Sequence, residues 1–478
     1  MTNLSRANLD NGIAIGPQGE GRESPSTFPA YPVYKDSSVG WLGVVPEHWA
    51  VTLLKRGYEV VLGKMLQPEA RRDDDELLPY LRAANIQLSG VDTVDVKRMW
   101  FGAGEKKSLL LRRGDLLVSE GGDVGRSAIW GFDEECYFQN SINRIRSFDG
   151  NDTRFLYFWM ISIKENGYID VLCNKSTIAH FTAEKVSAVP LPIPTKPEQT
   201  QIARFLDHET ARIDALIVEQ QRLIELLKEK RQALISHAVT KGLAPTVPMK
   251  DSGVEWLGEV PAHWDVVPTN YRYEIQLGRM LNEQRAQGDN LKPYLRVFDV
   301  QWNAINTTNL PLMDFPPEVQ PMYRLKSGDL MVNEGGSYVG RSAIWRGDLD
   351  ECYYQKALHR LRPRDVKRDT AEFFLHVMEM ATQQGVFVAG GNQTTIDHLT
   401  AEQLRQYRFA FPPFDEQLHI AEKITEMVSK IQNTTAEAEQ LIGYLQERRS
   451  ALISAAVTGK IDVRSWQPPP PELAQETL

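Results

Sequence analysis

Few residues in this chain stand at spacings that could make or break a bond. Methylating the amino group of a flipped adenine would need an Asn/Asp/Ser-Pro-Pro-aromatic loop. The nearest match, Phe411-Pro412-Pro413-Phe414, has Phe where the polar residue must stand, and its counterpart Ile193-Pro194-Thr195-Lys196 loses the pattern. A phosphate-cradling GxxxxGK loop fails at Gly63-Lys64 and Gly459-Lys460, which lack the upstream glycine. Asp95-Val96-Lys97 and Asp365-Val366-Lys367 have the D-x-K spacing of some nucleases but occupy unrelated places and lack a companion acid. Gly-rich EGGDVGR and NEGGSYVGR lie between strand-like runs with no following helix, so they are not nucleotide loops. Cys136, Cys173 and Cys352 form no CxxC pair, and no His/Cys spacing suits a metal. The expectation is a chain with no catalytic residue, no metal and no cofactor of its own.

Composition narrows the remaining classes. The chain has 478 residues, 42% apolar and 24% charged, which suits a globular protein of two or three domains. No apolar run reaches the roughly 18–20 residues of a membrane span, and the N-terminus lacks a secretory pattern, so no membrane is expected and the cytoplasm is the expected location. A net charge of −9 argues against a generic polyanion binder. It leaves open a clustered basic face.

The elements that must position any site are written twice. DSSVGWLGVVPEHW (36–49) returns as DSGVEWLGEVPAHW (251–264), and LPYLRAANIQ (78–87) as KPYLRVFDVQ (292–301). RRGDLLVSEGGDVGRSAIW (112–130) matches LKSGDLMVNEGGSYVGRSAIW (325–345), and ECYFQNSINRIR (135–146) matches ECYYQKALHRLR (351–362). Residues 88–111 and 302–324 barely match. Two modules thus share a scaffold and present different surfaces. Within each, DLLVS, DLMVN and the two SAIW runs read as strands, and RFLYFWMISI (154–163) and AEFFLHVMEMA (371–381) as helices.

Each module leads into a long heptad helix. The first seam is Ile202, Leu206, Glu209, Ile213, Leu216, Gln220, Leu223, Leu227, Lys230, Leu234 and His237. The second is Ile420, Ile424, Met427, Ile431, Thr434, Ala438, Leu441, Leu445, Arg448, Leu452 and Ala455. Thr195 with Glu198 has capping-box spacing, Asp415 is the second cap, and Gly242 and Gly459 are stop signals. Two matching stripes are natural partners. A seven-residue connection reaches at most about 25 Å, too short to run back along a rod of about 65 Å, which favours antiparallel pairing. The expected fold class is therefore α/β: two repeated α/β domains separated by two long helices in an antiparallel coiled coil with pseudo-twofold symmetry. The expected divisions are a disordered extension over 1–35, a domain over 36–195, a helix over 196–242 and a linker over 243–250. A second domain follows over 251–413, then a helix over 414–460 and a disordered tail over 461–478.

The WLGxVPxHW lead, the Pro-rich step into each long helix and the alternation of two modules with two helices resemble the specificity subunit of type I restriction–modification systems. The resemblance covers about residues 36–461. It implies that each module is a target-recognition domain for half of a bipartite double-stranded DNA site and that the helices are a spacer. It implies two methyltransferase subunits, which bind S-adenosylmethionine, and restriction subunits, which use ATP and Mg. DNA as the ligand comes from this resemblance alone. Given DNA, the groups suited to base edges or phosphates are Arg82, Asn85, Arg126, Gln139, Asn140, Asn143, Lys175 and Thr177 in the first module. In the second they are Arg296, Gln301, Arg341, Gln355, Lys356, His359, Gln393 and Thr395. Arg126 and Arg341 are identical in modules that should read different sequences, which assigns them to phosphate or loop structure. Asn140 against Lys356, and Asn143 against His359, differ as readers should. The alternatives are a piece or scaffold of a fused modification–restriction enzyme, or a coiled-coil protein whose modules bind RNA or protein.

Overall fold

Leu116, Leu117 and Val118 are all buried, yet they face opposite sides of one sheet. In the computed structural model, which describes residues 28–173, 180–280, 286–387 and 398–469, the chain forms two units. One is Met1–Glu219 with Leu441–Leu478, the other Gln220–Gln440. In the first, an antiparallel sheet runs in the order Ser127–Ile129, Leu116–Ser119, Ile142–Ser147, Tyr58–Leu62. Leu116, Val118 and Ile145 point into a core closed by the helix Thr153–Glu165. Leu117 and Ile142 point into a second core, beneath a three-stranded sheet of Tyr137–Phe138, Glu76–Leu81 and Lys97–Phe101. Strand side chains alternate between faces, and burial of both faces explains the unbroken apolar run.

The second unit repeats this plan. Its four strands are Tyr273–Leu277, Leu358–Pro363, Asp329–Asn333 and Ser342–Trp345. Leu330 and Val332 face the helix Ala371–Gln383, and Met331 faces the other core. The two helices predicted beside these sheets are present. Asp152 caps the first by accepting from Arg154 and Phe155 amides, and Thr370 caps the second through the Phe373 amide. A fork of charge recurs under each sheet. Arg146 donates to both Asp115 oxygens at 2.6 Å, and Arg362 to both Asp329 oxygens at 2.6 and 2.7 Å. Such bidentate pairs are the strong geometry for arginine and carboxylate.

The long helices span Lys196–Lys241 and Phe414–Val457 and end at Gly242 and Gly459, both at φ 73°. That left-handed conformation is the ordinary glycine stop. Neither expected cap forms in the predicted way. Glu198 is buried and accepts instead from the Tyr31 hydroxyl at 2.7 Å, His48 Nε2 at 2.9 Å and Trp49 Nε1 at 3.1 Å. Asp415 lies inside the first helical turn rather than ahead of it. In the second unit Glu416 takes the corresponding part, bonded to His263 at 2.8 Å and Trp264 at 3.2 Å.

The ends are more structured than composition suggests. Residues 28–35 and 461–469 belong to the first unit: Tyr31, Ile461 and Val463 are buried in its core, Trp466 packs edge-on against Phe205, and Asp462 N bonds Pro29 O at 2.7 Å. Disorder over all of 1–35 and 461–478 is corrected for these stretches. A few aromatic anchors outweigh a polar, proline-rich average.

Burial along the expected seam is uneven. Ile202, Leu206, Ile213, Ile420, Ile424, Ile431 and Leu452 are buried, and Leu216, Leu227, Leu234 and Leu445 are half-buried. Leu223 and Leu441 are each 37% exposed, and the neighbours Ile224 and Ile442 turn inward instead. A straight helix turns every 3.6 residues and drifts against a 3.5-residue heptad, so the buried stripe slips by one position toward mid-helix. Within the first unit, Ile202, Leu206 and Ile213 share one core with Leu452, Ile453 and Val457. Within the second, Ile235, Ala238 and Val239 share one with Ile420 and Ile424.

Candidate nucleic-acid interface

Among the described residues, several of the polar groups singled out in the sequence lie on loops at one end of each four-stranded sheet. In the first unit the turn after Leu62, the EGGDVGR loop and residues 139–141 meet there. Lys64 N bonds Phe138 O at 3.1 Å, Asn140 N bonds Lys64 O at 2.9 Å, and Glu120 N bonds Ser141 O at 2.9 Å. Gly63 permits the approach, since a Cβ there would lie 2.3 Å from Gln139 O. The equivalent Gly278 would put one 2.1 Å from Gln355 O. Beside these loops stands a short hairpin, Ile86–Gln87 with Gly90–Val91, matched in the second unit by Val300–Gln301 with Ala304–Ile305.

Convergence does not make every polar group a reader. Asn143 is buried and donates Nδ2 to Phe181 O at 2.8 Å; His359, equally buried, donates Nε2 to Leu399 O at 2.6 Å. Their difference between copies had suggested base reading, but both lie within the sheet and tie it to the segment that follows. Asn85 is buried as well, accepting from Arg82 N at 2.9 Å and donating to Asp92 O at 3.0 Å. Gln301 braces its hairpin, donating to Phe298 O at 2.6 Å and accepting from Arg341 at 2.5 Å. Burial and these bonds make Asn85, Asn143 and His359 part of the framework, and Gln301 is held within its hairpin.

The arginines are also engaged. Arg82 bonds Asp95 at 2.7 Å, and Lys97 together with Arg82 holds that carboxyl below its ordinary range. Arg126 bonds Asp123 at 2.6 Å and Ile86 O at 3.0 Å. Burial pushes Asp123 up, but Lys164 and Arg126 outweigh it and leave the carboxyl low. Arg296 forks onto Asp299 at 2.8 and 2.9 Å and lies 4.1 Å from the Phe298 ring centre. Arg341 sits 4.4 Å from the Tyr338 ring centre. Arg126 and Arg341 thus both bond within their loops and to the neighbouring hairpin. Gln139, Asn140, Gln355 and Lys356 remain half-buried or exposed, and their side chains make no hydrogen bond or ion pair among the described residues. Lys175, Thr177, Gln393 and Thr395 lie outside the described residues.

Over residues 49–227 and 274–442 the sequence matches the type I restriction modification DNA specificity domain, and these spans make up well over half of the chain. The chain belongs to that family. The specificity subunit of the type I restriction enzyme EcoBI from Escherichia coli is 22% identical over 375 residues, covering 75% of this chain and 76% of its own length. Two solved structures share the fold. One, from work on complex assembly and conformational transition of the type I R-M system, has a TM-score of 0.65 at 14% identity, covering 87% of this chain and 99% of its own. The other, the HsdS subunit from Thermoanaerobacter tengcongensis, has a TM-score of 0.56 at 16% identity, covering 87% and 98%.

Each matched span of this specificity-family chain therefore includes a four-stranded sheet, its loop end and part of a long helix. Sequence reasoning missed two features at that end. The tip of the hairpin was overlooked because it carries Leu88 and Trp302, and only polar side chains had been sought. Glu120 was read only as part of a Gly-rich loop. It is half-buried, and burial raises its carboxyl above the ordinary range despite the opposing pull of His180. Among the described residues no helix is long and apolar enough to cross a membrane, and no His/Cys/Asp/Glu group could hold a metal ion.

Proposed function

We propose that this chain is the DNA sequence-reading subunit of a type I restriction–modification complex, each unit reading one half of a bipartite double-stranded site. The observation that carries this reading is the division of labour at the loop ends. Residues repeated in both copies, such as Arg126 and Arg341, brace the loops, whereas Asn140 and Lys356 differ and stand free. A shared frame with unlike free tips is what two readers of unlike sequences require. Gln139, Asn140, Gln355 and Lys356 supply the donors and acceptors for base edges. Asn or Gln suits adenine and Lys suits guanine.

In this reading the long helices pair antiparallel as a spacer between the readers. The cores that join the start of each helix to the end of the other support it. The chain carries no catalytic group: two methyltransferase subunits supply S-adenosylmethionine chemistry, and restriction subunits supply ATP- and Mg-dependent cleavage. The action is placed in the cytoplasm, where the DNA is. Mapping methylated bases by long-read sequencing in the host, with and without this gene, tests the reading. One bipartite motif should lose its methylation when the gene is removed. An unchanged methylation map would overturn it.

A further inference from the structure

The hairpin beside each loop end is braced alike in the two units. Asp92 N closes the first onto Asn85 O at 2.8 Å, and Asn306 N closes the second onto Asp299 O at 2.8 Å. Gln87 donates to Ala84 O at 2.6 Å, as Gln301 does to Phe298 O at 2.6 Å. Arg126 holds the base of one through Ile86 O at 3.0 Å, and Arg341 holds the other through Gln301 at 2.5 Å. Strand pairing is also the same, Gln87 opposite Gly90 and Gln301 opposite Ala304. The two-residue tips are Leu88-Ser89 in one unit and Trp302-Asn303 in the other.

Leu88 is 86% exposed and Trp302 half-buried, each on a hairpin held from below by these hydrogen bonds. Exposed single apolar side chains are common. A braced apolar tip repeated at the same place in two otherwise divergent segments, beside the free Gln139-Asn140 and Gln355-Lys356, is not accounted for that way. A two-stranded ribbon fits the major groove of B-DNA, and there the apolar feature that distinguishes one base from another is the thymine 5-methyl group.

We infer that the two hairpins enter the major groove and that Leu88 and Trp302 each pack against a thymine methyl group in their own half-site. This deepens the DNA-reading assignment above and rests on it. Polar side chains alongside select by hydrogen bonds; the tip selects thymine over cytosine or uracil by apolar contact. Because the braces are common to both units, the choice resides in the tip and not in the frame.

The test uses the full chain with its methyltransferase subunits and duplexes carrying the motif mapped in the host. Thymines in one half are replaced by deoxyuracil, which removes only the methyl group. Wild type should bind the substituted half about three- to fivefold more weakly, the scale of one lost apolar methyl contact. Leu88→Ala should show that loss in one half and Trp302→Ala in the other, with no further loss on uracil DNA. Equal binding of thymine and uracil duplexes by wild type overturns the inference, and so does an unchanged uracil effect in both variants. A half-site with no A·T pair overturns it outright. Should wild type bind the mapped motif no better than random duplex, the DNA-reading assignment itself would fail.

Discussion

His359 Nε2 donates to the carbonyl of Leu399 at 2.6 Å, and the ring is buried beneath the loop end of the second unit. The bond fixes the neutral tautomer with its proton on Nε2. Burial lowers the ring's pKa, outweighing the Leu399 carbonyl and Glu334, which favour the charged form. The stability this contributes is full above the ordinary imidazole value of about 6.5. It is lost as pH falls below that value, because the unfolded ring takes up a proton that the folded one resists. In the first unit Asn143 makes the same kind of bond to Phe181 without a titrating group. The variant His359→Asn should therefore lose less stability than wild type between pH 7 and pH 5. Urea midpoints at the two pH values measure this, and equal losses would refute it.

Asp329 is buried and accepts the Arg362 fork together with the Lys326 amide at 2.7 Å. Removing the carboxylate alone leaves a guanidinium only 21% exposed without its partner. Asp329→Ala should cost about 3 kcal/mol, and replacing both partners with apolar residues should restore much of it. Chemical denaturation of the two variants decides the point, since an equal cost for both would mean that the loss lies in packing.

Much of this protein was legible because its sequence states the fold twice. Repetition marked the strands DLLVS and DLMVN, and burial of both sheet faces gave them continuous apolar runs that local pattern could recognise. The candidate polar residues were legible as a set but not in their local bonding. Asn143 and His359 differ between the copies as readers would, yet both point into the sheet; no local pattern tells a surface amide from one bonded inside. Arg126 and Arg341, identical in two modules of otherwise unlike loops, both bond to the hairpin beside them. The chain ends were misjudged because Tyr31 and Trp466 find their partners far away in sequence, at Glu198 and Phe205.

The slipped helix seam gives a direct comparison between neighbours. Ile224 is 8% exposed and Leu223 is 37% exposed, although a strict heptad would bury Leu223. Ile224→Ala should cost about 2–4 kcal/mol, as truncation of buried aliphatics does. Leu223→Ala should cost less than about 1 kcal/mol. Thermal or urea unfolding of the pair measures the difference, and a costlier Leu223 change would restore the heptad phase.

Asn140 and Lys356 occupy equivalent turns, and neither side chain has a hydrogen-bond partner among the described residues. Asn140→Ala and Lys356→Ala should leave the unfolding midpoint within about 0.5 kcal/mol of wild type, as surface changes do. Each should relax methylation at one half of the motif, by about tenfold for a lost base contact. Relaxation of both halves by one variant would contradict a separate reader for each half.

The spacer reading makes a prediction about length. Inserting four residues into each long helix adds about 6 Å along the axis while keeping the apolar face within about 40° of its direction. At about 3.4 Å per base pair this is one to two base pairs. A host carrying the lengthened chain should methylate the same two half-sites at a correspondingly wider separation. The half-sequences themselves should not change, because Asn140, Lys356 and both hairpin tips lie outside the helices. Methylome sequencing reads half-sites and spacing together. A spacer of unchanged length in a chain that still folds and directs methylation would mean that the helices do not set the distance.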